Sequence, residues 1–231
     1  MDTIAPLQRK FKLQKQTNIT IQSNVFFLQV SSTERSLEEF IFPGWSAPEI
    51  FGNDNPVKVE YCSGNGAWIA HKAESNPHIN WVGVEYKFSR VQQIYGHMRR
   101  KNLQNLFLIN GEAFEATLAY FPDSSISGVY INFPDPWPKR RHAKNRLVSD
   151  HFTVQLARIM KPEAQVLFVT DNAEYSEWAL DIFKRMENRF EPCYPHPHFI
   201  VDLPDYGNSF FDTLWREKGM TIRYHQFKRL A

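Results

Sequence analysis
The sequence predicts an α/β fold, a mostly parallel sheet with helices on both faces. One observation carries this, with one rule of chain geometry. From Val57 onward, short apolar runs alternate with longer amphipathic stretches. Strands that alternate with helices bury both faces of a sheet, and right-handed crossovers bring every strand's carboxyl end to one edge. In order, Val57–Tyr61 reads as a strand and Ala67–Glu74 as a helix stopped near Asn76-Pro77. Trp81–Glu85 reads as a strand, Ser89–Arg100 as a helix, and Leu106–Ile109 and Ile126–Phe133 as further strands. Ser149 can cap a helix through Met160, which Pro162 ends. Gln165–Thr170 reads as a strand and Glu174–Glu187 as a helix. Residues 1–55 are poorly periodic, with a short strand at Asn24–Val30 and a loop at Pro43–Pro48.

The 231 residues suit one domain with appendages. No apolar run is long enough to span a bilayer, and the first residues lack the apolar core of a signal peptide, so a cytoplasmic location is expected. Two cysteines, Cys62 and Cys193, make no disulfide framework. Cys193, His196 and His198 resemble a metal half-site without a fourth ligand at suitable spacing, so no metal is expected. The net charge is only +2, but its distribution is uneven. Arg9, Lys10, Lys12 and Lys15 form one basic cluster, Lys139 to Arg146 a second, and Arg223, Lys228 and Arg229 end the chain. Such patches suit a polyanionic partner.

The expected strand ends carry carboxylates. The first runs into Glu60-Tyr61-Cys62-Ser63-Gly64-Asn65-Gly66, where Gly64 and Gly66 let the backbone approach a ligand. The second ends at Glu85, placed to accept ribose hydroxyls, and Glu112 follows the third. A nicotinamide dinucleotide would want a third glycine where Ile69 stands, and three carboxylates would repel its pyrophosphate. S-adenosylmethionine, with a ribose, an amine and an ammonium group, suits acidic strand ends.

After the fourth strand comes Phe133-Pro134-Asp135-Pro136-Trp137, then a basic run. It is similar to the short Asp/Asn-Pro-Pro-aromatic sequence of enzymes that methylate a base nitrogen. Prolines stiffen the loop and leave carbonyls free as acceptors. Aromatic rings can stack on an extruded base, and basic side chains can hold the surrounding phosphates.

From about Glu60 to Thr213 the chain resembles the bacterial tRNA (guanine-N7-)-methyltransferases. The resemblance rests on FPDPWPKRRHAKNR and on Phe168-Val169-Thr170-Asp171-Asn172. It implies a Rossmann-like class I methyltransferase fold over 51–231, with 1–50 as an N-terminal extension that is either partly disordered or in contact with RNA. It implies S-adenosyl-L-methionine as cofactor, tRNA as partner with no obligatory protein subunit, and the variable-loop guanosine at position 46 as target. Glu60, Glu85 and Glu112 match cofactor-binding positions, with Gly64 and Gly66 in the turn. Asp135 matches the catalytic, cofactor-contacting residue. Lys139, Asp171 and Thr213 match substrate-binding positions, and Arg141, His142, Lys144 and Arg146 the RNA-contact segment. His142 could stack, bind phosphate or cap a helix.

Four departures accompany the match. Cys62 replaces a glycine, Asn145 an arginine, and Glu163-Ala164 a glycine pair. Arg216 stands where the glutamate of a T-x-x-E element belongs, and Glu217, one step later, either takes over or leaves those contacts to others. A tRNA-binding module without catalysis and a methyltransferase for another base or a protein are the alternative readings, with a dehydrogenase a distant further one.

Overall fold
The computed structural model describes residues 19–22, 25–28, 42–207 and 209–231. The first basic cluster, Arg9 to Lys15, and the ends of the expected strand Asn24–Val30 lie outside them. Strands β1 (Ile19–Gln22) and β2 (Val25–Leu28) precede β3 (Val57–Tyr61), helix α1 (Ala67–Ser75), β4 (Asn80–Glu85), α2 (Phe88–Lys101), β5 (Leu106–Asn110) and α3 (Ala113–Tyr120). Then come β6 (Ile126–Asn132), a 3-10 helix (Arg140–Asn145), α4 (Asp150–Ile159), β7 (Met160–Thr170), α5 (Ala173–Arg185), β8 (Phe190–Pro192), α6 (Phe210–Glu217) and β9 (Arg223–Arg229). Among the described residues the strands form one sheet in the order β1-β2-β5-β4-β3-β6-β7-β9-β8. Strands β5, β4, β3, β6 and β7 run parallel, and β9 is antiparallel to β7.

Period-two alternation splits the core in two. Val57, Val59 and Tyr61 of β3 join Val129 and Ile131 of β6 in one cluster with α4 and α5. The other face buries Trp81, Leu106, Leu108, Leu167 and Val169 with Trp68 and Ile69 of α1 and Val91 and Ile94 of α2. Glu60, Glu85 and Asn132 stand on this second face at the carboxyl ends of their strands. The chain reverses its direction of sheet growth between β3 and β6, so those ends flank a topological switch point.

The Ser149 cap forms, its hydroxyl accepting the Phe152 N–H at 3.3 Å. The end of that helix differs from expectation. Helix α4 stops at Ile159, and β7 begins at Met160 rather than Gln165. Met160 pairs with Ile126 and Gln165 with Gly128, so residues 161–164 bulge out of the ladder. Pro162 is tolerated there because a bulge needs no ladder N–H from it. Glu163 adopts φ 66, the left-handed backbone that a glycine would adopt without strain.

Strand β9 brings His225 into the core, completely buried. Its Nδ1 lies 3.0 Å from the His198 carbonyl oxygen, so Nδ1 carries the proton and Nε2 accepts from the Ser176 hydroxyl at 2.8 Å. Burial lowers its pKa to about 4. The folded state therefore binds fewer protons than the unfolded chain, and this stability is present above pH ~6.5 and is lost as pH falls toward 4. Between pH 7.5 and 5, wild type should lose on the order of 2 kcal/mol more than a His225→Gln variant. Denaturant unfolding of both proteins at the two pH values reads this, and equal losses would refute it.

Candidate active site at the β3/β6 switch point
Glu60 is 2% exposed. Its Oε1 accepts from Asn132 Nδ2 at 2.7 Å, while Oε2 is buried and has no hydrogen-bond partner among the described residues. Burial pushes the carboxyl up to about 7, helped by the Glu85 charge and opposed by the Asn132 amide and the nearby Ser63 hydroxyl. Asn132 Oδ1 in turn accepts from the Tyr206 hydroxyl at 2.9 Å. Glu85 accepts the Gly64 N–H at 2.9 Å and the Lys87 N–H at 2.8 Å, one on each oxygen, and burial raises its pKa too. Glu112 is exposed at the N-cap position of α3.

The turn between β3 and α1 is shaped by three left-handed residues, Cys62 (φ 62), Gly64 (φ 55) and Gly66 (φ 76). A Cβ on Gly66 would lie 2.5 Å from Ile94 of α2. The half-buried Cys62 thiol lies within the field of Glu85, Glu60, Glu112 and Asp135, and burial first, then those charges, push its pKa up. Three N–H groups of this turn are already engaged within the protein. The Gly64 N–H is held by Glu85, that of Gly66 by the Ser63 carbonyl at 2.9 Å, and that of Ala67 by Asn65 Oδ1 at 3.1 Å. The carboxylates at the adjoining strand ends would also repel a pyrophosphate, so this geometry disfavours the dehydrogenase reading. A buried acceptor oxygen with a free valence beside further carboxylates fits the amine and hydroxyl donors of S-adenosylmethionine.

Beside the crevice, Phe133 and Trp137 are left-handed (φ 47 and 44), and the loop between them is folded by Asp135, whose Oδ1 accepts the Trp137 N–H at 3.1 Å. Asp135 is exposed. The Phe133 N–H donates to the Val169 carbonyl at 2.9 Å, which holds this loop beside Asp171 at the end of β7. Asp171 is half-buried and its pKa is raised by that burial. Helix α6 closes the far side. The Phe211 ring lies 6.0 Å from that of Phe133, and Phe211 is also the nearest neighbour to a Cβ placed on Gly64. Thr213 and Glu217 are exposed on this helix.

The basic segment divides in two. Lys139, Arg141 and Lys144 are exposed, and His142 sits edge-on to Trp137 at 5.8 Å with Nε2 accepting from Arg141 Nε at 3.2 Å. Arg146, expected to contact RNA, is instead turned inward, its side chain 2% exposed. It donates to the Pro136 carbonyl at 2.9 Å and to Glu174 Oε1 at 2.8 Å, and stacks over Tyr175 and Trp178 at 5.2 and 5.1 Å. It anchors the loop from below. Arg216 also turns to the protein. It meets both Asp212 oxygens, at 3.2 and 3.0 Å, the Tyr224 hydroxyl at 3.1 Å and the Val201 carbonyl at 3.0 Å. Reading the sequence missed Asn132 and Tyr206; a polar residue ending an apolar strand was the available signal for Asn132.

A cavity of about 250 Å³ lies lower on the same sheet face, lined by Lys58, Lys72, Gln165, Gln226 and Tyr206 among others, and none of the crevice carboxylates borders it. Among the described residues no group of three or more His, Cys, Asp or Glu could hold a metal, and no helix is long and apolar enough to cross a membrane.

The family described as "Putative methyltransferase" matches residues 54–199. The tRNA (guanine-N(7)-)-methyltransferase of Chlamydia felis is 39% identical over 82% of this chain and 82% of its own. That of Chlamydia muridarum is 37% identical over 90% of this chain and 89% of its own. The chain belongs to the tRNA (guanine-N7-)-methyltransferase family. Among solved structures, the 16S rRNA methyltransferase KamB superposes with a TM-score of 0.57 at 14% identity, covering 77% of this chain and 89% of its own, a likeness of fold. An rRNA methylase from Streptococcus thermophilus gives 0.51 at 12% identity, covering 78% and 89%. The class I methyltransferase fold accounts for the switch-point crevice of this family member.

Two predictions follow from the geometry. Gly66→Ala should lose about 1–3 kcal/mol through left-handed strain and the clash with Ile94, read by thermal unfolding against wild type; an unchanged melting temperature would contradict it. Arg146→Ala should lose about 2 kcal/mol of stability. Arg141→Ala and Lys144→Ala should change stability by less than about 0.5 kcal/mol but flatten the salt dependence of tRNA binding by about 0.7–0.9 per lost contact. Arg146 behaving like the other two would overturn its assignment as an anchor.

Proposed function
We propose that the protein transfers the methyl group of S-adenosyl-L-methionine to N7 of guanine in tRNA, at the variable-loop guanosine, position 46. The observation that carries this reading is the juxtaposition at the β3/β6 switch point. A crevice floored by Glu60 and Glu85 adjoins the Asp135 loop, and an exposed basic turn follows that loop directly. The family membership supports the same activity. The cytoplasm is the expected setting, and no obligatory protein partner is expected.

The cofactor supplies an electrophilic methyl on a sulfonium. Guanine N7 carries an in-plane lone pair at neutral pH, so no proton has to leave before it attacks. The carbon–nitrogen bond forms as the carbon–sulfur bond breaks, and the electron pair departs with sulfur. The protein therefore has to align two reactants and exclude water, and alignment can supply roughly 7–11 kcal/mol in favourable systems. Glu60, with Gly64, Gly66, Glu85 and Glu112, would hold the cofactor. Asp135 positions the reacting groups rather than removing a proton. Lys139, Asp171, Thr213 and Glu217 contact the guanosine, and Arg141, His142 and Lys144 contact the RNA backbone. Arg216, tied to Asp212 and Tyr224, keeps α6 in place; the family membership favours a working enzyme over a tRNA-binding module without catalysis.

Methyl transfer from labelled cofactor to unmodified tRNA, followed by nucleoside analysis, should yield 7-methylguanosine, mapped to the variable loop. Another methylated nucleoside, or none, would sink the reading. Asp135→Ala should lower turnover about 100-fold while leaving the fold intact, because this exposed side chain makes its described bond only to its own loop. Unchanged turnover would remove Asp135 from the site.

A further inference from the structure
Glu60 is not an isolated carboxylate. Its Oε1 is the end of a chain that runs through the Asn132 amide to the Tyr206 hydroxyl, with bonds of 2.7 and 2.9 Å between buried groups. A carboxamide has a donor end and an acceptor end. With Tyr206 donating to Oδ1, Asn132 must present its NH2 to Glu60, the orientation that favours an ionised carboxylate. Reversed, the amide would offer its oxygen and favour the protonated acid.

Tyr206 is itself fixed from three directions. Its main-chain oxygen accepts from Trp68 Nε1 at 2.7 Å, and its ring packs on Trp68 at 5.6 Å and on Tyr224 at 5.1 Å. The Tyr224 hydroxyl donates to Asp212 Oδ1 at 2.5 Å and accepts from Arg216. Asp212 and Arg216 belong to α6, the helix that carries Thr213 and Glu217. A contiguous set of contacts thus joins the cofactor carboxylate to the helix on the substrate side.

We propose that Asn132 and Tyr206 are positioning residues, which favour the ionised form of the Glu60 carboxylate, aim it into the crevice and couple it to α6, so that cofactor and tRNA strengthen each other's binding. The inference rests on Glu60 being a cofactor ligand. Neither residue touches the reacting atoms. Coupling between two sites is reciprocal, so tRNA must raise cofactor affinity by the factor that cofactor raises tRNA affinity. The groups that face Glu60 are Glu85 at the end of β4, Cys62 and Ser63 in the turn, Asn132 at the end of β6 and Tyr206 ahead of α6.

Calorimetric binding of S-adenosylhomocysteine between pH 6 and 8.5, with and without tRNA, tests this on the full chain. Wild-type affinity should rise with pH through about 7 and increase several-fold with tRNA. Tyr206→Phe should bind about 5- to 10-fold more weakly at pH 7.5, with its midpoint moved to higher pH and most of the tRNA enhancement lost. Its KM for S-adenosylmethionine should rise more than kcat falls. Asn132→Ser should shift the same readouts. Wild-type affinity, midpoint and tRNA enhancement in both variants would overturn the proposal, as would a wild type whose affinity ignores tRNA. Glu60→Gln separates the two layers. If it binds the ligand normally, Glu60 is not a cofactor ligand and the inference falls with that assignment. If it loses binding while the other two variants do not, only the inference falls.

Discussion

A carboxylate removed from water costs several kcal/mol unless its oxygens find partners. Glu60 finds a partner for one oxygen only. It stays there because the neighbouring structure is built to keep it. Strand β3 is central and parallel on both sides, so its carboxyl end cannot shift without breaking two ladders. Asn132 stands on the adjacent strand with its side chain on the same face, and the turn beyond Glu60 is locked by Gly66 against Ile94. Glu85, one strand away, uses its own carboxylate to hold that turn through the Gly64 N–H. The cost of the acidic floor is thus met by rigidity around it, and the rigidity also fixes the edge on which the Asp135 loop is mounted.

The loop between Phe133 and Arg146 shows how a surface element can be held without being buried. Its exposed face carries Lys139, Arg141 and Lys144. Its underside is secured by Arg146, whose guanidinium reaches the Pro136 carbonyl and lies over two aromatic rings. Proline removes a backbone donor but leaves the carbonyl, and that carbonyl is the one the arginine uses. One basic residue is spent inside so that its neighbours can be displayed at a defined position. Arg216 ties α6 to the Val201 carbonyl and the Tyr224 hydroxyl from the surface, its side chain 40% exposed.

The five parallel strands were legible because strands buried on both faces read as apolar runs, and their order follows from crossover geometry. The placement of Glu60, Glu85 and the Asp135 loop at one edge was legible for the same reason, since strand ends locate the crevice. Strand β9 was hidden. Arg223, Lys228 and Arg229 gave Arg223–Arg229 the look of a basic tail, yet Lys228 pairs with Glu163 and Glu191, and Arg229 donates to the Ala157 carbonyl. A charge run does not reveal which of its members turns inward, and nothing in this one singles out Arg146. Tyr206 lies 74 residues from Asn132, and nothing local to either residue announces that they meet. Two departures from the family pattern, Cys62 and Glu163, fall where the backbone is left-handed, so the glycine usual at each position has a steric reason that the substitution did not remove.

Cys62 has one more consequence, for chemical selectivity. A sulfur nucleophile in a crevice built for a methyl donor would compete with the intended acceptor if it ionised, because the thiolate is the reactive form of cysteine. The carboxylates that suit the crevice to a cationic ligand also oppose a second negative charge among them, and burial opposes it further. The thiol is kept protonated and chemically quiet by the same carboxylates proposed to hold the electrophile, so a substitution that strains the backbone does not place a reactive thiolate in the crevice.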